Sequence, residues 1–232
     1  MMFMGSIVNG LTIIGGGLLG LILHSISDHA KDTVTKSLGL GTFALAIQMA
    51  LQTKSFIVMV ISLCLGGLIG EWLHIEDGMN HLGLMLEQRF ARGNQHFAEG
   101  FVTATLIAVI GAMGILGAIQ AGVSGDNTTL YTKSVMDGFM AIMLTASLGV
   151  GVIFSALPVI IYQGTITLFA SFLVQFVPKA LMTNALREIG AVGGLMILGI
   201  GLNLMGITKI RISNLLPGLL VLVAILTGQY FL

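Results

Sequence analysis

Runs of about 20 mainly apolar residues recur along the whole of this chain, and they limit what it can fold into. A helix needs a run of this length to cross a hydrocarbon core about 30 Å thick. Only 9% of the 232 residues are charged, whereas water-soluble domains carry about 25%. The runs also lack the alternating pattern of barrel strands. The sequence therefore predicts an all-α, polytopic transmembrane helix bundle that forms a single integral membrane domain over residues 1–232.

The apolar runs predict seven or eight membrane spans. The second run is short and the fifth is unusually polar, and the count is seven if residues 130–148 form a re-entrant segment. An amphipathic pattern over residues 75–98 predicts a helix in the plane of the membrane interface. The distribution of Lys and Arg between the linkers favours an N-terminus outside the cytoplasm. The expected spans are residues 3–23, 38–52, 56–74, 100–121, 130–148, 152–177, 188–207 and 214–231.

Glycine is abundant, with 32 residues, and many glycines have the spacing that brings transmembrane helices into close contact. Residues 16–24, GGLLGLILH, match residues 66–74, GGLIGEWLH, at six positions, and residues 193–199, GGLMILG, are a fainter copy. Such internal repeats are typical of transporter folds, although Gly- and Leu-rich helices also resemble one another by chance. Because so small a bundle has little material to enclose a pathway, we expect a homo-oligomer, with a dimer favoured.

The composition argues against several classes of function. Cys64 is the only cysteine, so an intrachain disulfide, a redox pair and a cysteine-based metal cluster cannot form. The net charge is zero and no polybasic segment is present, which argues against nucleic acid as a partner. Catalytic sequence motifs are absent. We therefore expect no enzyme activity, no metal site and no cofactor, and we expect the lipid bilayer and a small solute or ion as partners.

Two ionisable residues lie inside the fifth expected span. Lys133 and Asp137 are four residues apart, so they share one face of a helix and can form an ion pair. An ionisable side chain in hydrocarbon costs about 2.5–3.5 kcal/mol on insertion scales, so it usually faces protein or water and often marks a functional site. The pair is interpreted either as a neutralising salt bridge or as a group that handles a solute or a proton.

The segment after this pair is the second group of candidates. Gly149 and Pro158 interrupt an apolar stretch and predict a broken helix with freed carbonyl groups, with two ordinary spans joined by a tight turn as the alternative. Ser155, Tyr162 and Gln163 would supply hydroxyl and amide groups near such a break. Transporters typically build their substrate sites around broken helices of this kind.

Five polar residues outside this segment have structural interpretations as well as functional ones. Asn127 lies in a run of helix-capping residues, which is either a simple cap or a helix N-terminus that binds an anion. Glu99 and Glu188 each lie at the start of an expected span, where a carboxylate suits the helix dipole. Asn9 and Asn214 are expected to form hydrogen bonds between helices. Of these five, Asn127, Asn9 and Glu99 are retained as candidate solute- or ion-binding residues.

Several long motifs, in the same order along nearly the full length, resemble the bacterial YqgA/YdfK family. The resemblance implies a small, multi-pass protein of the bacterial inner membrane, in a family of unknown function whose members are candidate transporters. The resemblance implies no ligand-binding residues, because none are established for the family. The motifs are GSIVNGLTIIGGGLLG, GGLIGEWLHIE, EGFVTATLIAVIGAM, SGDNTTLYTKSVMDG, FSALPVIIYQG and GAVGGLMILGIGLNLMGITKIRISNLLPG.

These features together favour a secondary transporter or permease for a small polar or ionic solute, coupled to H⁺ or Na⁺. Asp137 would take up the proton or cation, and Lys133 would pair with it or with an anionic solute. Gln163 would contribute contacts near the break. The alternatives are a non-transporting membrane scaffold or regulatory subunit, and a passive ion channel.

Overall fold

The computed structural model describes residues 2–23, 28–90, 96–110 and 112–231, and these residues form ten α-helices and no β-strand. Two short 3₁₀ segments, Val150–Ser155 and Ile212–Leu215, precede α8 and α10. The expected all-α class is confirmed. The helices are α1 Met4–Leu23, α2 Asp28–Ala50, α3 Phe56–Trp72, α4 Ile75–Phe90, α5 Phe97–Val109, α6 Ala112–Ser124, α7 Thr128–Leu148, α8 Ala156–Phe176, α9 Lys179–Leu204 and α10 Pro217–Phe231.

The number of helices suited to crossing a membrane is smaller than the seven or eight expected. Within the described residues, four helical stretches are long and apolar enough: Met4–Ile22, Val150–Ala170, Lys179–Leu204 and Ile212–Tyr230. Two bent pairs bring the number to six if each pair is one span: α3 with α4, at 57°, and α5 with α6, at 60°. The expected spans within α2 and α7 are not among them, because charged and hydroxyl-bearing residues dilute the apolar character of both helices.

The predicted break in the second half of the chain lies at Gly149. α7 ends at Leu148, and Gly149 has a φ of +83°, a left-handed conformation that glycine adopts without steric cost. The prediction that Pro158 interrupts a helix is wrong. Pro158 lies in the first turn of α8, where proline removes no hydrogen bond of the helix ladder, and α8 continues through Gly164 without interruption.

The chain bends at two further places, and only the second of these bends was not expected. The expected span 56–74 ends at Trp72, and the chain turns through His74, which has a φ of +52°, directly into α4. The expected span 100–121 is divided between α5 and α6. The amphipathic segment expected over 75–98 is the helix α4 up to Phe90, and its residues 91–95 lie outside the described part of the chain.

Glycines bring helices together in pairs that are far apart in sequence. A methyl group added at Gly16 of α1 would overlap the backbone of Gly138 in α7, and one added at Gly66 of α3 would overlap the backbone of Gly218 in α10. Gly194 of α9 lies in the same way against α2. Each of the three similar sequence segments therefore places a glycine at a close helix contact, although His24, the last residue of the first segment, lies outside the described residues. Glycine packing thus brings three pairs of helices that are far apart in sequence into close contact.

Candidate functional site

The two ionisable residues predicted to pair on α7 do so. The Lys133 ammonium donates to both carboxylate oxygens of Asp137, at 2.8 and 2.6 Å. Each side chain is only 10% exposed, so protein surrounds the pair and water has little access to it. The four-residue spacing of an α-helix places both side chains on the same face, which explains why the contact was predictable.

A third polar residue joins the pair from another helix. Asn9 of α1 is fully buried, and its side-chain amide donates to Asp137 Oδ2 at 3.0 Å. This contact is possible because Gly138, the residue after Asp137, lets α1 approach closely at Gly16. The Asp137 carboxylate thus accepts three hydrogen bonds, which offset much of the cost of burying its charge.

A cavity of about 590 Å³ lies beside this cluster. Residues from α2, α7 and α9 and from the junction of α5 and α6 line it, and most of its wall is apolar. Lys133 and Asp137 provide the charged groups among its described lining residues. Thr42 of α2 also lines it, and its buried hydroxyl has no hydrogen-bond partner among the described residues. The ion pair therefore borders a cavity that is open at its rim and large enough for a small solute.

Gln163 lies close to the same lysine. It is fully buried in α8, and neither atom of its amide group has a hydrogen-bond partner in the described part of the chain. A methyl group added at Gly114, which also lines the cavity, would lie 3.2 Å from Lys133 Cε and 3.7 Å from Gln163 Nε2. The structure thus brings together Lys133, Asp137, Asn9 and Gln163 from three helices.

The remaining predicted residue near the pair is Ser155. It is buried and borders a small cavity of about 10 Å³. Asp137, Ile13 and Val152 line the same cavity. Its hydroxyl donates to the carbonyl oxygen of Val152 at 2.7 Å. Ser155 is therefore close to the aspartate, but its one donor is already used within the 3₁₀ segment.

Three predicted site residues lie elsewhere. Tyr162 is half-buried on α8 and does not line the cavity. Asn127 precedes α7, where its side-chain oxygen accepts the backbone N–H of Gly5 at 2.9 Å, so it joins the start of α1 to the start of α7. Glu99 is exposed in the first turn of α5, lies 3.2 Å from His96 Nδ1, and lines a separate cavity of about 210 Å³.

The capping residue next to Asn127 is Asp126, which is fully exposed. It accepts the backbone N–H of Thr128 at 2.9 Å, and this hydrogen bond holds the pKa of the Asp126 carboxyl below its ordinary value of 3.8. Asp126 thus satisfies the first backbone N–H of α7, whereas the side chain of Asn127 makes no capping hydrogen bond.

Glu188 was predicted to lie at the start of a helix, and this prediction is wrong. α9 begins at Lys179, so Glu188 lies in the helix interior and does not cap its start. Its side chain is 1% exposed, accepts the backbone N–H of Lys54 at 2.9 Å and the hydroxyl of Thr53, and pairs with Arg187 at 3.0 Å. It fixes the connection between α2 and α3 to the middle of α9.

A second cluster holds the bend between α3 and α4. The Asn214 side chain donates to Glu71 Oε2 at 2.6 Å and accepts the backbone N–H of Glu76 at 2.7 Å. Arg211 donates to the other oxygen of Glu71 at 2.8 Å. The expectation that Asn214 bonds across helices is confirmed, and these residues have a structural explanation. No three His, Cys, Asp or Glu side chains of the described chain lie close enough to hold a metal ion.

An all-helical bundle of strongly apolar helices, packed through glycines around a buried ion pair, defines a polytopic α-helical membrane protein. The chain matches the family described as protein of unknown function DUF554 over residues 4–227, and it belongs to that family. It is 36% identical over 222 residues to an uncharacterized membrane protein, YdfK, of Bacillus subtilis (strain 168), with 94% of this chain and 93% of the relative covered. It is 29% identical over 225 residues to an uncharacterized protein, YqgA, of Escherichia coli (strain K12), with 94% of each covered. No solved structure matches it.

Proposed function

We propose that this protein is a secondary transporter or permease of the bacterial inner membrane for a small polar or ionic solute, coupled to H⁺ or Na⁺. The observation that supports this function best is that the buried Lys133–Asp137 pair faces a cavity of about 590 Å³. A pair needed only to join helices has no reason to border an empty space, and apolar residues would fill that space at lower cost.

The proposed roles follow from the contacts of the pair. Asp137 takes up the proton or sodium ion, and Lys133 binds the solute through the third N–H donor of its ammonium group, which Asp137 does not use. Asn9 keeps the carboxyl in position, because its side-chain amide can donate to either protonation state of Asp137. The break at Gly149 separates α7 from α8 and gives the two helices freedom to move relative to each other.

The experiment uses purified protein in sealed vesicles that contain a pH-sensitive dye, with a panel of amino acids, carboxylates and sugars added outside one at a time. A parallel series measures uptake of radioactive sodium. We expect at least one compound to drive proton or sodium entry with the wild type and not with Asp137→Asn. Asp126→Asn is the matched control, because that carboxylate is exposed at the start of the same helix and does not line the cavity.

Three results would contradict the proposal. Equal solute-driven uptake by the wild type and Asp137→Asn removes the proposed role of the aspartate. Ion entry that needs no added solute, and is large enough to register as conductance in a planar bilayer, indicates a passive channel. A folded protein that responds to no compound of the panel indicates a scaffold or regulatory subunit, in which the pair only joins helices.

The assembly is also a proposal, with a homodimer favoured. Large apolar side chains on the outer faces of the helices, among them Phe139 and Leu45 at the rim of the cavity, are exposed in the single chain, and lipid or a second copy would cover them. Mass measurement of the detergent-solubilised protein distinguishes the two.

A further inference from the structure

The chemistry of the large cavity limits which solutes it can bind. Lys133 and Asp137 are the charged residues among those described as lining it, so its net charge is zero. The rest of the wall is mainly apolar, with Thr42, Ser37 and Gln52 as uncharged polar residues. A solute with a net charge would enter a space of low dielectric without a compensating charge, which is costly. A solute without net charge avoids this cost.

The hydrogen bonds of the pair are not saturated. An ammonium group has three N–H donors, and Lys133 directs two of them to Asp137. A carboxylate has about four acceptor positions, and Asp137 uses three, for Lys133 and Asn9. One cationic donor and one anionic acceptor therefore remain side by side. A ligand head group that carries both a carboxylate and an ammonium group matches these two positions without breaking the pair.

The apolar wall indicates what the rest of the ligand must be. Met and Leu side chains of α2 and α7 face the cavity next to the pair, and they would leave water molecules poorly bonded along this part of the wall. Burying an apolar group there is favourable by about 25 cal/mol for each Å² removed from water. The apolar residues concerned are Leu38, Leu45, Met49, Met136 and Met140.

We propose that the ligand of this cavity is a small zwitterion with an apolar body, the chemistry of an amino acid with an aliphatic side chain. Its carboxylate accepts the remaining N–H of Lys133, its ammonium group donates to Asp137, and the unpartnered hydroxyl of Thr42 supplies a further contact. This inference rests on the proposed function. A zwitterionic phospholipid head group shares this chemistry, and the experiment below distinguishes it from the soluble compound.

The test measures thermal unfolding of the full-length protein in detergent at pH 7 with four matched compounds. Leucine is a zwitterion with an apolar body, glycine lacks the body, N-acetylleucine is an anion and leucinamide is a cation. A compound that binds only the folded protein raises the melting temperature, and the stabilisation grows with the logarithm of one plus the ratio of its concentration to Kd. We expect leucine to raise it at concentrations at least tenfold lower than the other three. Thr42→Val should weaken the response to leucine about three- to tenfold, as expected for the loss of one hydrogen bond.

Each other outcome overturns the inference. An equal response to N-acetylleucine or leucinamide contradicts the requirement for no net charge, and an equal response to glycine contradicts the apolar body. Stabilisation by phosphatidylethanolamine with none by leucine identifies a lipid site. If none of the compounds raises the melting temperature, the cavity does not bind the proposed class of ligand. Solute-driven proton or sodium entry in vesicles with some other compound would then show that the ligand class is wrong while the transport function stands.

Discussion

Replacing Lys133 with methionine tests directly whether the bundle depends on the buried ion pair. The substitution keeps a side chain of similar length but removes two of the three hydrogen bonds that Asp137 accepts. Only the contact from Asn9 remains, and the carboxylate is 10% exposed, so water has little access to replace the ammonium. The variant therefore holds a charge in the interior without an opposite charge beside it.

The expected cost is about 3 kcal/mol of unfolding free energy, the usual range for an unpaired charge of this kind. The double variant Lys133→Met with Asp137→Leu removes both charges and leaves only the Asn9 amide without a partner, which costs about 1 kcal/mol. The second substitution should therefore recover roughly 2 kcal/mol. This reversal is what distinguishes a charge effect from a general loss of packing.

The assay is reversible unfolding in mixed micelles of increasing SDS content, followed by circular dichroism. A loss of 3 kcal/mol lowers the ratio of folded to unfolded protein about 150-fold, since 1.4 kcal/mol corresponds to a factor of ten. A single variant that loses less than about 1 kcal/mol, or a double variant no more stable than the single one, would refute the argument. Either result would mean that solvent or a structural shift compensates the lone carboxylate.

Three further predictions concern the scaffold and use the same unfolding assay. Gly16→Ala should cost about 1–3 kcal/mol because the added methyl group overlaps backbone, whereas Gly15→Ala, which meets nothing within 4 Å, should be neutral or slightly stabilising; equal effects would contradict the close helix contact. Glu188→Ala should cost about 2–4 kcal/mol through its lost partners, and the exposed Glu99→Ala less than about 0.5 kcal/mol; the reverse order would contradict the burial of Glu188. Asp126→Asn should lower the melting temperature at pH 7, and the difference from wild type should shrink as the pH falls below 3.8, because the hydrogen bond from Thr128 stabilises only the ionised carboxylate and so lowers its pKa; a difference that stays constant as the pH falls below 3.8 would exclude this cause.

Local spacing was sufficient to predict part of the site. The contact between Lys133 and Asp137 follows from helix geometry alone, so the sequence contained it. Asn9 was expected to bond between helices and was retained as a candidate, but its partner could not be predicted, because Asp137 is 128 residues away and only the packing of α1 on α7 brings the two together. Gln163 was selected for a proposed break in the helix, yet it lies near Lys133 for another reason: Gly114 leaves room between the two side chains.

The expected count of seven or eight spans is not confirmed, and the reason is physical. Even when each bent pair counts as one span, α2 and α7 are missing from the candidates, because charged and hydroxyl-bearing residues dilute the apolar character of both helices. Proline was the visible candidate for a break, yet at Pro158 the first turn of a helix accommodates it. The residue that terminates α7 is Gly149, whose positive φ is a property of the folded backbone. Family resemblance, in contrast, was carried by long motifs and is confirmed.

The pairing of early helices with late ones determines how the protein can be made. α1, α2 and α3 leave the ribosome long before their partners α7, α9 and α10, so during synthesis their glycine surfaces face lipid or a chaperone. Two polypeptides made separately, one ending after α4 and the other beginning before α5, would each be incomplete and would carry complementary surfaces. Co-expression should let such fragments associate into the native bundle, whereas either one alone should be degraded.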